Sequence, residues 1–76
     1  MRTTHPIIDP IAVERAVAGD GDVHLYPRER DEAVRRLTLR GLSESQIADR
    51  LTVTRRTVTR CKARLRERGL LAEVAA

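Results

Sequence analysis

Phenylalanine and tryptophan are absent from the 76 residues, and Tyr26 is the single aromatic apart from two histidines. A core of packed rings is therefore excluded. The hydrophobic 41% is mostly alanine, valine, leucine and isoleucine, which points to an aliphatic helical core. Cysteine is almost as scarce: Cys61 stands alone, so no internal disulfide can form. No run of about 18 apolar residues and no cleavable signal pattern is present, so no membrane partner and a cytoplasmic location are expected. The length allows one compact domain and excludes a catalytic domain beside a separate binding domain. Domains of this size are marginally stable, and dimerisation or partner binding would add stability.

Charge is present but unevenly spread. Up to Tyr26 there are two basic and four acidic residues; after it there are thirteen basic and seven acidic. Over 54–68, Arg55, Arg56, Arg60, Lys62, Arg64, Arg66 and Arg68 face Glu67 alone, a local net of +6. Such a segment suits a polyanionic partner. A basic run can also be a plain solvated helix face, so its context decides. Arginine outnumbers lysine fourteen to one, a composition expected of high-GC coding, bacterial or phage.

The chain reads as an all-α, small helical bundle of about four helices. Residues 1–8 lack periodicity and are expected to form a flexible arm. Residues 9–24 read as a short accessory helix and loop: Asp9 caps, Pro10 suits the first helical position, Ile11, Val13, Ala16 and Val17 follow, and Gly19 stops it. Gly19-Asp20-Gly21-Asp22 alternates aspartates but lacks the later ligands and closing glutamate of a calcium loop.

A second helix opens at Leu25-Tyr26-Pro27 and stops at Gly41. Its Ala33, Val34, Leu37 and Thr38 are the expected buried stripe. Glu29, Asp31 and Glu32 are expected to serve the helix dipole. Ser43-Glu44-Ser45-Gln46 has capping-box spacing and predicts a helix over 44–51, with Ile47, Ala48 and Leu51 on one face and Asp49 and Arg50 outward. After Thr52-Val53-Thr54, a third helix of the motif places Val58, Cys61 and Leu65 inward and ends at Gly69. Residues 70–76 form a tail or an extra helical turn.

Two capped helices joined by a three-residue turn, the first nearly neutral and the second densely basic, have the grammar of a helix-turn-helix over 25–69. In that pattern Ala48 allows close helix approach, Val53 plugs the turn and Val58 returns the second helix to the core. Helical spacing puts Arg55, Arg56, Thr59 and Arg60 at the exposed N-terminal end of the basic helix, and arginine can grip guanine O6 and N7 with two hydrogen bonds. Arg55, Thr59 and Arg60 are the expected base readers. Arg56, Thr57, Arg64 and Thr54, with Ser43, Ser45 and Gln46 at the N-terminus of the preceding helix, are the expected phosphate contacts. Arg66 and Arg68 are assigned to the dipole at the helix C-terminus.

Leu25, Pro27-Arg28-Glu29-Arg30, Gly41-Leu42-Ser43, Ile47-Ala48, Leu51, Val53-Thr54 and Thr57-Val58 together resemble the DNA-binding domain of the LuxR and FixJ type. Sigma-factor region four and resolvase C-terminal domains share much of this spacing. The resemblance implies that the basic helix enters the major groove of duplex DNA. The chain departs from the pattern by about two extra residues between Leu25 and Gly41, by Cys61 in place of a common histidine, and by the stop at Gly69. Thr52 stands where many such turns carry glycine, which implies a turn without strongly positive φ.

The expected function is sequence-specific DNA binding by a small transcriptional regulator or a phage or mobile-element protein, with a homodimer or a neighbouring DNA-bound protein as further partner. The alternative is an adaptor that contacts a polymerase, sigma factor or other host protein. Such an adaptor should expose apolar residues on the basic helix. RNA is disfavoured because no aromatic side chain in the basic segment can stack on unpaired bases. No cofactor, metal, small-molecule ligand or catalysis is expected. His5, His24, Ser43, Ser45 and Cys61 fall into no catalytic or metal-ligand spacing, and Cys61 lies on the apolar face.

Overall fold

A computed structural model describes residues 8–71. Of the arm expected over 1–8 and the tail over 70–76, only Ile8, Leu70 and Leu71 fall within it. Four helices follow one another with no strand among the described residues: α1 (Pro10–Val17), α2 (Pro27–Leu39), α3 (Glu44–Leu51) and α4 (Arg55–Glu67). The all-α bundle expected from the periodicity is the observed architecture.

Each helix starts for a local reason. The Asp9 carboxylate accepts from the amides of Ile11 at 3.0 Å and Ala12 at 3.4 Å, and Pro10, which has no amide to satisfy, follows at the first helical position. At α3, Ser43 Oγ accepts from the Gln46 amide at 3.2 Å while Gln46 Oε1 accepts from the Ser43 amide at 2.8 Å. This is the reciprocal capping box read from the sequence. Thr54 Oγ1 accepts from the Thr57 amide at 3.2 Å and opens α4.

The helix ends share one device. An amide just beyond each helix bonds the carbonyl five residues back: Asp20 to Arg15, Leu42 to Leu37, Val53 to Ala48 and Leu70 to Leu65, at 2.8–3.2 Å. This closure requires one left-handed residue. Gly19, Gly41 and Gly69 supply it after α1, α2 and α4, with φ between +73° and +100°. After α3 the residue is Thr52, at φ 57° and ψ 46°. The expectation that a non-glycine here signals a turn without strongly positive φ is corrected to this extent: Thr52 is left-handed, though at a smaller φ than the three glycines. The Val53 bond to Ala48 brings the plug onto the core and forces the turn through the left-handed region, whatever residue occupies it.

All four helices and Leu71 meet in one core built on Val13, Val17, Val34, Leu37, Ile47, Val58, Cys61 and Leu65, with Ile8, Leu25, Leu42, Leu51 and Val53 packed at its edge. Burial of a whole aliphatic side chain contributes about 1.5–3 kcal/mol, so α1, through Val13 and Val17, is part of the same folding unit. Thr38, expected in the buried stripe, is only half-buried, its hydroxyl donating to Val34 O at 2.7 Å. Arg50 is exposed as expected, yet its Nη1 donates to the Val17 carbonyl at 3.0 Å and ties α3 to the end of α1.

Of the acids expected to serve the α2 dipole, Glu29 does serve the helix start, while Asp31 departs from that reading. Glu29 is 2% and Asp31 5% exposed. Glu29 accepts the Tyr26 amide at 3.0 Å and the Asp9 amide at 2.9 Å, so one carboxylate serves the starts of both α1 and α2. Asp31 turns toward α4. Burial drew both inward because each finds fixed donors there. Glu32 stays near the surface, pairing with Arg35 and Arg36 at 2.9 Å.

Candidate nucleic-acid interface

Helix α4 buries Val58, Cys61 and Leu65. At 3.6 residues per turn, the face opposite those three carries Arg56, Thr59, Arg60, Ala63 and, at its C-terminal end, Glu67, all exposed. Arg55 is exposed on the flank beside them. No ion pair is formed by Arg55, Arg56 or Arg60 among the described residues. Their charge is directed to solvent at the N-terminal half of the helix, and Ala63 leaves room for close approach further along.

The hydroxyl residues of the candidate set divide in two. Thr54 and Ser43 hold helix starts, Gln46 completes the box at Ser43, and Thr57 is half-buried with its Oγ1 3.0 Å from that of Thr54. Ser45 is exposed in the first turn of α3. Thr59 reaches across instead: its hydroxyl lies 3.0 Å from both Glu44 Oε2 and the Arg55 carbonyl. A single proton serves one acceptor at a time, so the second oxygen there is approached but not satisfied by Thr59.

Arg64 is set apart from the other arginines. Its Nη2 donates to Asp31 Oδ1 at 2.8 Å and to Cys61 Sγ at 3.3 Å, and its Nε donates to Asp31 Oδ2 at 3.2 Å. Burial alone would raise the Asp31 pKa. The hydrogen bonds from Arg64 and Cys61, with the charges of Arg64 and Arg68, outweigh it and hold the carboxyl below its usual range. The same bond to Asp31 raises the Arg64 guanidinium. Burial, then the hydrogen bond and charge of Asp31, push the Cys61 thiol up to about 11. A buried, protonated thiol is a poor nucleophile at neutral pH.

The residues expected to touch a partner are thus partly gathered and partly not. Arg55, Thr59 and Arg60 lie together at the start of α4, with Ser45 on the neighbouring α3. Arg64 faces α2. Reading in steps of three and four along α4 puts Arg56, an expected phosphate contact, on the same exposed face as Thr59 and Arg60, expected base readers. Glu44 at this face and Asp31 beneath Arg64 carried no local signal, since their partners lie 15 and 33 residues away.

A short α3, a three-residue turn at 52–54 and a longer α4 packed over α2 define a helix-turn-helix protein. Residues 27–73 match the homeodomain-like domain family, and the chain belongs to that family. Helix α1 precedes the matched segment yet fills the same core. No curated protein and no solved structure matches the chain at a significant level. No helix among the described residues is long and apolar enough to cross a membrane.

Proposed function

We propose that this chain binds duplex DNA sequence-specifically by laying α4 in the major groove, as a small transcriptional regulator or a DNA-binding protein of a phage or mobile element. The observation that carries this reading is the composition of the outward face of α4. It presents Arg56 and Arg60 with Arg55 on its flank, none of them in an ion pair among the described residues, while the large exposed apolar residues among these, Ile11, Leu39 and Leu70, all lie off that helix. An adaptor surface on α4 would need the opposite.

A helix about 10–12 Å across suits a groove about 12 Å wide. In that pose Arg60 and Arg56 reach base edges, Arg55 is at the groove wall, and Ser45 in the first turn of α3 approaches the backbone. The Gly41 to Val58 spacing supports a LuxR or FixJ-like variant within the family. A single module buries roughly 600–1,000 Å² on DNA, so a homodimer or an adjacent DNA-bound protein would supply the rest.

The test is a fluorescence anisotropy titration of the whole chain against random-sequence duplex across a salt series, with Arg55→Ala/Arg60→Ala as the paired variant and circular dichroism to check both folds. The expected result is affinity that falls steeply with salt and is lost in the folded variant. Absence of binding by the wild type even at low salt would refute the reading and favour the protein-adaptor alternative.

A further inference from the structure

Glu44, on α3, is the acid that the fold brings to the N-terminal half of the outward face of α4, while Glu67 lies on that face at its far end. Glu44 occupies the first position of α3, where a carboxylate favours the helix dipole, and that role alone would need no contact with α4. Its Oε2 nevertheless lies 3.0 Å from the Thr59 hydroxyl. Thr59 sits between Arg56 and Arg60 on the outward stripe, so the carboxylate borders the group that the proposed DNA reading places in the groove.

A carboxylate there is costly for plain backbone binding, because phosphate repels it. It suits a base edge that offers only a donor. In the major groove, cytosine presents its N4 amino group as a donor and no acceptor, whereas guanine presents N7 and O6, both acceptors. A carboxylate accepts and cannot donate. The Thr59 hydroxyl borders Oε2, and Oε1 has no hydrogen bond among the described residues, so it can accept.

We propose that Glu44 is a specificity-determining residue: its carboxylate, steadied by Thr59, accepts from the N4 amino group of a cytosine beside the base pairs that Arg56 and Arg60 contact, and it repels other placements. This rests on the DNA reading above. Glu44 weakens binding to random duplex and sharpens the choice among sequences. Glutamine at the same position can both donate and accept, a pattern that fits adenine N6 and N7.

The experiment is selection from a random duplex library with the full chain as wild type, Glu44→Ala, Glu44→Gln and Thr59→Val, followed by titration of the selected duplex and its single-base-pair variants. The wild type is expected to enrich a motif in which one C·G pair is preferred on the order of tenfold. Glu44→Ala should lose that preference at that pair alone while binding random duplex more tightly. Glu44→Gln should shift the preference toward adenine, and Thr59→Val should blunt it. If the wild type enriches a motif and Glu44→Ala and Glu44→Gln enrich the same one with the same preferences, the role of Glu44 is refuted and the DNA reading stands. If the wild type enriches no motif and does not bind duplex at low salt, both fail together.

Discussion

Arg64 on α4 grips Asp31 on α2 side-on, Nη2 to Oδ1 at 2.8 Å and Nε to Oδ2 at 3.2 Å. The acid is buried, while the Arg64 side chain is 47% exposed. Replacing Asp31 with alanine therefore leaves a cation that water can reach, and the loss should be about 1–2 kcal/mol, below that for a fully buried pair. Urea unfolding of Asp31→Ala beside the wild type measures it.

The same pair sets an acid limit. Asp31 and Glu32 both have folded pKa values below their usual ones, Asp31 because its hydrogen bonds outweigh burial, Glu32 chiefly through Arg35. Their contribution is present above the unfolded carboxyl value, about pH 4, and is lost as pH falls through the lower folded values. Thermal melts should hold level down to about pH 4 and drop below it. Asp31→Asn should be less stable at pH 7 and show a shallower acid drop.

Glu29 joins two helix starts, and its removal orphans the amides of Tyr26 and Asp9 together. Glu29→Ala should cost roughly 2–4 kcal/mol, a large share of the stability of so small a domain. Glu29→Gln keeps one accepting oxygen and should cost about half as much. Melting temperatures by circular dichroism would rank the two.

Thr52 holds a left-handed conformation that its branched side chain disfavours. Thr52→Gly should stabilise the domain by about 0.5–1 kcal/mol, raising Tm by roughly 3–6 °C. The mirror change, Gly41→Ala, puts a methyl into open space at φ +90°. It should destabilise by about 1 kcal/mol through the backbone alone. Opposite signs in the two melts would locate the strain in the turn.

Arg56 and Arg64 should separate surface from scaffold. Arg56→Ala is expected to leave stability within about 0.5 kcal/mol and to lower DNA affinity. Arg64→Ala should lower the melting temperature because it strips the partner from Asp31. Anisotropy and melting on both variants check the division.

The starts and stops of all four helices were legible along the chain, because a cap acts within three residues and a closure within five. Asp9, Ser43, Gln46, Thr54 and the three glycines carry that information themselves. So did the core stripe of Val58, Cys61 and Leu65, and the basic stripe opposite it, since a helix turns by a constant angle per residue. The sequence by itself thus determined the helices, their inward faces and the charge of the outward one. Only the tertiary structure decided that Glu29 reaches Asp9, that Asp31 holds Arg64, that Glu44 meets Thr59 and that Thr52 turns left-handed. Those pairings join residues 15–33 apart, and the turn must bend as the packing of α3 against α4 dictates. A polar side chain's partner is set by which helix is packed against it, a property of the assembled core rather than of its neighbours in the chain.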